Sequence, residues 1–457
     1  MGKQSGKDQS GRGGGGRDQS GKDGGGSVRR HLLVLALPIV AENLLQTLLG
    51  TVDTYFAGSI SDDAIAGVGV TGIVMNVLVA FFVAVGTASV ALASRRHGAG
   101  DDEGVKRVVA SSALLALCLG AAVGLLCGLF AEPLIAATGL EGRAAEAALP
   151  YFVAVSVPSV FLSLQTVASS CMRALEDTRT PLLVSGAANL ANIVLNAAAM
   201  AAGLGLLGLG LATSVSRVAA AAALVAILVR RGWLAPSWGS VSLQDVRALA
   251  RIGAPAGAEK VAQRAGQFAY TALIVSLGTS SYAAHSIAGS IEGYLYIPAM
   301  GFGLAAATAV GVALGEGDAA KARSETWLLW RMATASMVAA AAVLFAFAPQ
   351  LASLFSSTPE VQEQAALVLR LIALFQPFAA LVQVVGSALQ GAGDTKFPLY
   401  ATLLGIWAIR LGAGAVLSVG LGLGLLGVWC AYALDLVVRG CILARRFSRG
   451  AWATLKL

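Results

Sequence analysis

The chain alternates long apolar stretches with short polar turns. Twelve apolar stretches recur, over about 31–54, 64–92, 108–131, 149–171, 181–202, 207–230, 248–277, 282–313, 327–348, 362–388, 398–419 and 424–444. Each approaches or exceeds the ~20 residues that a helix needs to cross a bilayer core. The pattern predicts an all-α integral membrane fold of about twelve transmembrane helices. Composition agrees: 56% of the residues are hydrophobic and 12% are charged, against ~25% charged in soluble domains. Mean hydropathy is +0.75.

The polar turns alternate in sign. One set holds Arg29 and Arg30, then Arg95, Arg96, Lys106 and Arg107, then Arg173 and Arg179, then Arg230, Arg231 and Arg247. The same set continues with Lys321, Arg323, Lys396, Arg445, Arg446, Arg449 and Lys456. The other set holds Asp62, Asp63, Glu141, Glu146, Glu360 and Glu363, with Arg143 as its basic residue. Basic loops face the cytoplasm, so both termini are expected inside a multi-pass protein of the cell membrane. The net charge of +7 is then a loop charge, and no nucleic-acid partner is expected.

An internal repeat underlies the pattern. Pro38 and Pro255 lie 217 residues apart. The same offset joins Glu42 to Glu259, Gln46 to Gln263, Gly86 to Gly303, Gly98 to Gly315, Asp101 to Asp318, Asp177-Thr178 to Asp394-Thr395, and Pro181 to Pro398. Six spans per copy give both copies one orientation, hence a parallel repeat about an axis along the membrane normal. The expected division is a disordered, Gly-rich cytoplasmic tail over 1–27, an N-terminal six-helix bundle over 28–230, a linker over 231–247, and a C-terminal bundle with a short tail over 248–457.

Several motifs mislead. The run Gly16 to Lys22 nearly forms a phosphate loop, but Asp23 stands where Ser or Thr is needed, and no strand precedes it. Arg29-Arg30 looks like an export signal, yet the apolar run after it is too long and contains Glu42. GxGxxG occurs at Gly203–Gly208 and at Gly422–Gly427, both at turns between spans, where glycine tolerates positive φ. The five cysteines are scattered and read as small buried apolar groups. No metal site or cofactor is expected.

The chemistry lies in polar groups inside the spans, which cost about 2.5–3.5 kcal/mol each by insertion scales. Glu42, Gln46 and Asp53 share one face of the first span; the seventh repeats the stripe as Glu259, Gln263 and Tyr270. Glu42 and Glu259 are expected to face each other across the interface of the halves. A carboxylate there can hold a proton, Na⁺ or an organic cation, and each excludes the others, as antiport requires. The bland reading has Glu42 and Glu259 paired within the bundle, with Lys260 and Arg264 close to Glu259. His285 reads first as a packing histidine, and Arg370 and Arg410 as pairing or snorkelling residues.

These residues resemble the multidrug and toxic compound extrusion transporters. The resemblance rests on Leu37-Pro38 through Glu42 to Gln46, Val52-Asp53-Thr54 to Gly58, and Ala283-Ala284-His285 to Ala288. It also rests on Leu314-Gly315-Glu316-Gly317-Asp318, Gln390-Gly391-Ala392-Gly393-Asp394-Thr395 to Pro398, and Arg173 to Pro181. It implies a V-shaped pair of six-helix bundles around a central cavity, acting as a monomer. It implies export of cationic or amphipathic compounds in exchange for Na⁺ or H⁺. Asp53 matches the family's first-span aspartate, a candidate Na⁺ site, and Asn192 a polar position of the fifth span. Asn196 and Gln263 stand where some branches carry carboxylates, and the tenth span offers Gln376 and Gln383. The expected coupling set is therefore Asp53, Glu42, Glu259, Asn192 and Asn196; the expected substrate set is Gln46, Gln263, Tyr270, His285 and Gln383. The competing reading is a flippase of lipid-linked saccharides. A membrane enzyme lacks a nucleophile–base pair here, and a receptor or scaffold would move no solute.

Overall fold

The computed structural model describes residues 20–235 and 241–455. The expected tail over 1–19, most of the near phosphate loop, and residues 236–240 of the linker lie outside the described residues. Helix α1 runs Ser20–Gly58, so residues 20–27 continue the first helix rather than belonging to a tail. The first half continues with α2 (Asp62–Gly98), α3 (Asp102–Leu129), the short α4 (Ala131–Ala136), α5 (Gly142–Ser156), α6 (Ser159–Ala174), α7 (Arg179–Ala201) and α8 (Gly205–Arg230). The second half holds α9 (Leu243–Val275), α10 (Thr279–Gly315), α11 (Ala319–Phe355), α12 (Pro359–Gly391), α13 (Lys396–Thr402, continued in wider turns to Gly420) and α14 (Gly424–Arg449).

Ten of these helices are long and apolar enough to cross a membrane. The pair α5 and α6, bent by 47° at Val157-Pro158, makes an eleventh span. The twelfth is α9, which is 33 residues long. Its apolar character is diluted by Arg251, Glu259, Lys260 and Arg264.

The halves interlock. Helix α1 packs on α7 of its own half and on α10 of the other; α9 packs on α13 and on α2. The closest approaches between halves gather toward the basic end. A Cβ on Gly301 would fall 2.3 Å from Val40 Cγ2, and one on Gly253 3.3 Å from the Ala84 carbonyl oxygen. Polar contacts reinforce this end. Arg95 donates to the Leu455 carbonyl at 2.9 Å, and Arg96 pairs with Asp245 at the start of α9, with one N–H···O contact at 3.2 Å.

The repeat offset slips from 217 at Pro181/Pro398 to 219 at Gly203/Gly422. The span from Lys396 to Gly420 has 25 residues where α7 has 23. Leu403–Ala413 and Val416–Gly420 form π-helical turns. A π-bulge absorbs an inserted residue in a helix, so these turns take up the two extra residues while both ends keep their places.

The repeated Asp-Thr motifs close turns at the basic end. Asp177 accepts from Thr180 N at 3.0 Å and pairs with Arg231; Asp394 pairs with Arg446 at 2.9 Å. Burial opposes the charge on Asp177, but the bonds from Thr180 and Arg231 outweigh it and hold its carboxyl below its ordinary value.

Candidate functional site

A cavity of about 510 Å³ lies between the halves, with walls from α1, α2 and α6–α8 on one side and α9, α10 and α12 on the other. Glu42, Gln46, Asn192 and Gln383 line it, joined by Arg173, Arg217 and Lys260. Apolar Leu162, Met300 and Leu304 fill the wall between them.

Glu42 is 2% exposed. Its carboxylate accepts from Arg173 Nη1 at 3.1 Å and from Ser185 Oγ at 3.3 Å. Glu259 accepts from Gln390 Nε2 at 2.8 Å and from Thr402 Oγ1 at 3.0 Å. Arg173/Gln390 and Ser185/Thr402 are themselves 217 residues apart. Each carboxylate thus ties the first helix of its half to the fourth and fifth spans of that half. The two do not face each other across the interface, because a carboxylate in the bilayer takes the donors of its own bundle first. Lys260 and Arg264 form no ion pair with Glu259 among the described residues. Lys260 instead reaches Gln263 Oε1 at 3.5 Å, and Gln263 donates to Glu259 at 3.4 Å.

Asp53 sits differently. It is buried three helical turns beyond Glu42 and does not line the cavity. Asn196 Nδ2 donates to Asp53 Oδ1 at 2.9 Å and to Asn192 Oδ1 at 3.0 Å, and Asn192 donates to Thr213 at 3.2 Å. No basic side chain pairs with Asp53 among the described residues. The Asn196 Oδ1 is buried without a partner. This leaves a cluster of amide, hydroxyl and carboxylate oxygens with a free acceptor. Such a set fits a hard cation or a proton added to Asp53. Among the described residues no group of three or more His, Cys, Asp and Glu could hold a metal.

Tyr270 and His285 leave the central cavity. They line a second one, of about 380 Å³, within the C-terminal half, together with Glu292, Arg410, Trp429 and Tyr432. His285 packs against the rings of Tyr270 and Trp429, with centroids 5.8 and 5.4 Å apart. Arg410 Nη2 donates to Asp435 at 2.6 Å, Arg439 donates to the same oxygen at 2.9 Å, and the Arg410 guanidinium lies over the Tyr432 ring at 4.2 Å. Tyr432 hydrogen-bonds Glu292. Sequence reading passed over Glu292, Asp435 and Arg217. The cost of charge inside a span, which singled out Glu42, would have found them.

The pattern that defines the MatE family matches residues 38–198 and again 255–416, one copy in each half. A probable multidrug resistance protein NorM of Thermotoga maritima is 29% identical over 93% of this chain and 93% of its own length. Another, from Deinococcus radiodurans, is 30% identical over 92% of this chain and 94% of its own. The crystal structure of the Vibrio cholerae MATE transporter VcmN in the bent form superposes with a TM-score of 0.88 at 20% identity, covering 93% of this chain and 97% of that one.

Proposed function

The chain belongs to the MatE family of membrane transporters, and from that premise we propose that it exports amphipathic small molecules in exchange for Na⁺ or H⁺ by alternating access. It is a transporter and not an enzyme. The observation that carries the antiport reading is Asp53, a buried carboxylate held by the neutral Asn196 and forming no ion pair among the described residues. Its charge can change without breaking an ion pair, whereas Glu42 is committed to Arg173.

The two halves supply the rest. With the basic loops in the cytoplasm, the close contacts of α2 with α10 and α9 shut the cytoplasmic side, and the central cavity belongs to the outward-facing state. Cation or proton capture at Asp53 would change the packing of α1 against α7 and α8. Since α1 also packs on α10, that change reaches the interface on which the halves rock. Solute in the cavity and cation at Asp53 then compete through α1 rather than by sharing one pocket.

The test is fluoroquinolone and dye efflux in everted vesicles, followed by proteoliposomes under an imposed Na⁺ gradient and then an imposed pH gradient. Wild type should drive flux under one gradient, and Asp53→Asn should abolish it. Full gradient-driven flux in Asp53→Asn removes Asp53 from the coupling.

A further inference from the structure

The geometry points to the central cavity as a site for an anionic group, the carboxylate, sulfonate or phosphate of an amphipathic solute, in preference to a permanent cation. This refinement rests on the reading of that cavity as the solute path. Four charged side chains line it: Glu42, Arg173, Arg217 and Lys260. Glu42 and Arg173 neutralise each other. The remaining two are both basic, and among the described residues neither has an ion-pair partner.

Each is short of acceptors. Lys260 has one long contact, to the Gln263 amide oxygen. The Arg217 Nη1 is buried with no hydrogen-bond partner. Asp53 and Tyr151 are near enough to interact with the charge of Arg217, but Asp53 accepts its hydrogen bond from Asn196. Glu259, beside Lys260 in the chain, turns its carboxylate to Gln390 and Thr402. A buried donor without an acceptor is costly, and an anionic oxygen arriving in the cavity relieves that cost.

The two free bases come from different halves, Arg217 from α8 and Lys260 from α9. An anion held between them is gripped from both bundles at once. The apolar wall takes the rest of the solute. A permanent cation would meet two like charges in the cavity wall, and near protein such repulsion is stronger than in bulk water.

Equilibrium binding tests this independently of flux. The purified full chain in phosphatidylcholine nanodiscs is titrated with carboxyfluorescein and with ethidium, read by fluorescence anisotropy. Wild type is expected to bind carboxyfluorescein at least tenfold more tightly than ethidium. Lys260→Gln and Arg217→Gln should each weaken carboxyfluorescein roughly tenfold, the size of one charge-assisted contact, and Lys260→Arg should retain it. Repeating the titration with phosphatidylglycerol in the disc separates the sources of the anion. Displacement of the dye makes the ligand a lipid-borne phosphate; an unchanged affinity makes it a free solute. Tighter binding of ethidium, or a carboxyfluorescein affinity indifferent to both Gln variants, overturns the proposal. Tight, variant-sensitive dye binding without flux under either gradient would instead overturn the efflux reading alone.

Discussion

Gly98 and Gly315 lie against each other where α2 crosses α10. A Cβ on Gly98 would fall 2.0 Å from the Val312 carbonyl oxygen, and one on Gly315 2.1 Å from that of Arg95. Arg95 and Val312 are 217 residues apart, as are the two glycines. The contact therefore obeys the duplication, and the axis relating the halves passes through this crossing. Any side chain there must push two backbones apart. Gly98→Val should open the basic end: hydrogen exchange over residues 94–99 and 311–316 should rise, and transport should fall at least tenfold. Unchanged exchange at both segments would show that the crossing does not hold the halves together.

Asp53 lies behind the cavity wall, linked to the lining residue Asn192 through Asn196, and its position off the lining separates two measurements. Asp53→Asn should abolish gradient-driven flux without weakening solute binding, because Asp53 does not line the cavity and the lining base near it, Arg217, keeps its charge. Asn196→Ala keeps the carboxylate and removes its donor at 2.9 Å. It should leave flux measurable but shift the half-maximal ion or proton concentration several-fold. A loss of solute affinity equal to the loss of flux in Asp53→Asn would mean that the aspartate holds the solute directly.

Arg173 and Gln390 occupy the same place in the two halves and serve Glu42 and Glu259 in turn. Removing one member of a buried ion pair costs roughly 3–5 kcal/mol. Arg173→Leu should therefore lower the unfolding temperature in detergent sharply. Arg173→Gln copies the arrangement of the second half and should cost far less, on the order of 1 kcal/mol. Equal destabilisation by Leu and Gln would show that Glu42 needs a positive partner where Glu259 does not.

Much of this architecture was legible in the chain. Apolar length located most of the spans, and the 217-residue offset marked both Glu42 with Glu259 and Gly98 with Gly315. What the offset did not say is which residues each carboxylate touches. Glu42 and Glu259 looked like partners across the axis because depth alone was readable, while their donors, Arg173 and Ser185 or Gln390 and Thr402, lie 131 and 143 residues further on. The two-residue slip near Leu403 was visible in the glycine turns at Gly203 and Gly422. Its physical form, a widened helix carrying Arg410 toward Asp435, required the backbone. Tyr270 and Gln46 were expected in one cavity and line two, because Tyr270 turns inward to the Val428 carbonyl at 3.4 Å.

Glu176 is the non-glycine residue with positive φ among the described residues, at 61°. Its counterpart 217 residues on is Gly393, at φ 86°. The turn before the repeated Asp-Thr thus demands a left-handed residue in both halves, and only the second half uses glycine. A side chain in that conformation costs about 1 kcal/mol or more. Against this, Glu176 gains one contact with His31 at 3.1 Å, between partly exposed side chains, and such pairs contribute about 0–1 kcal/mol. Glycine also loses more chain entropy on folding, roughly 0.5–1 kcal/mol. These terms nearly cancel for Glu176→Gly, which should change unfolding free energy by no more than about 1 kcal/mol in either direction. Gly393→Ala has no such offset and should destabilise by about 1–2 kcal/mol. Thermal unfolding in detergent compares the two directly. A Gly393→Ala protein as stable as wild type would mean that the turn relaxes out of the left-handed region, and that the glycine is not what sets it.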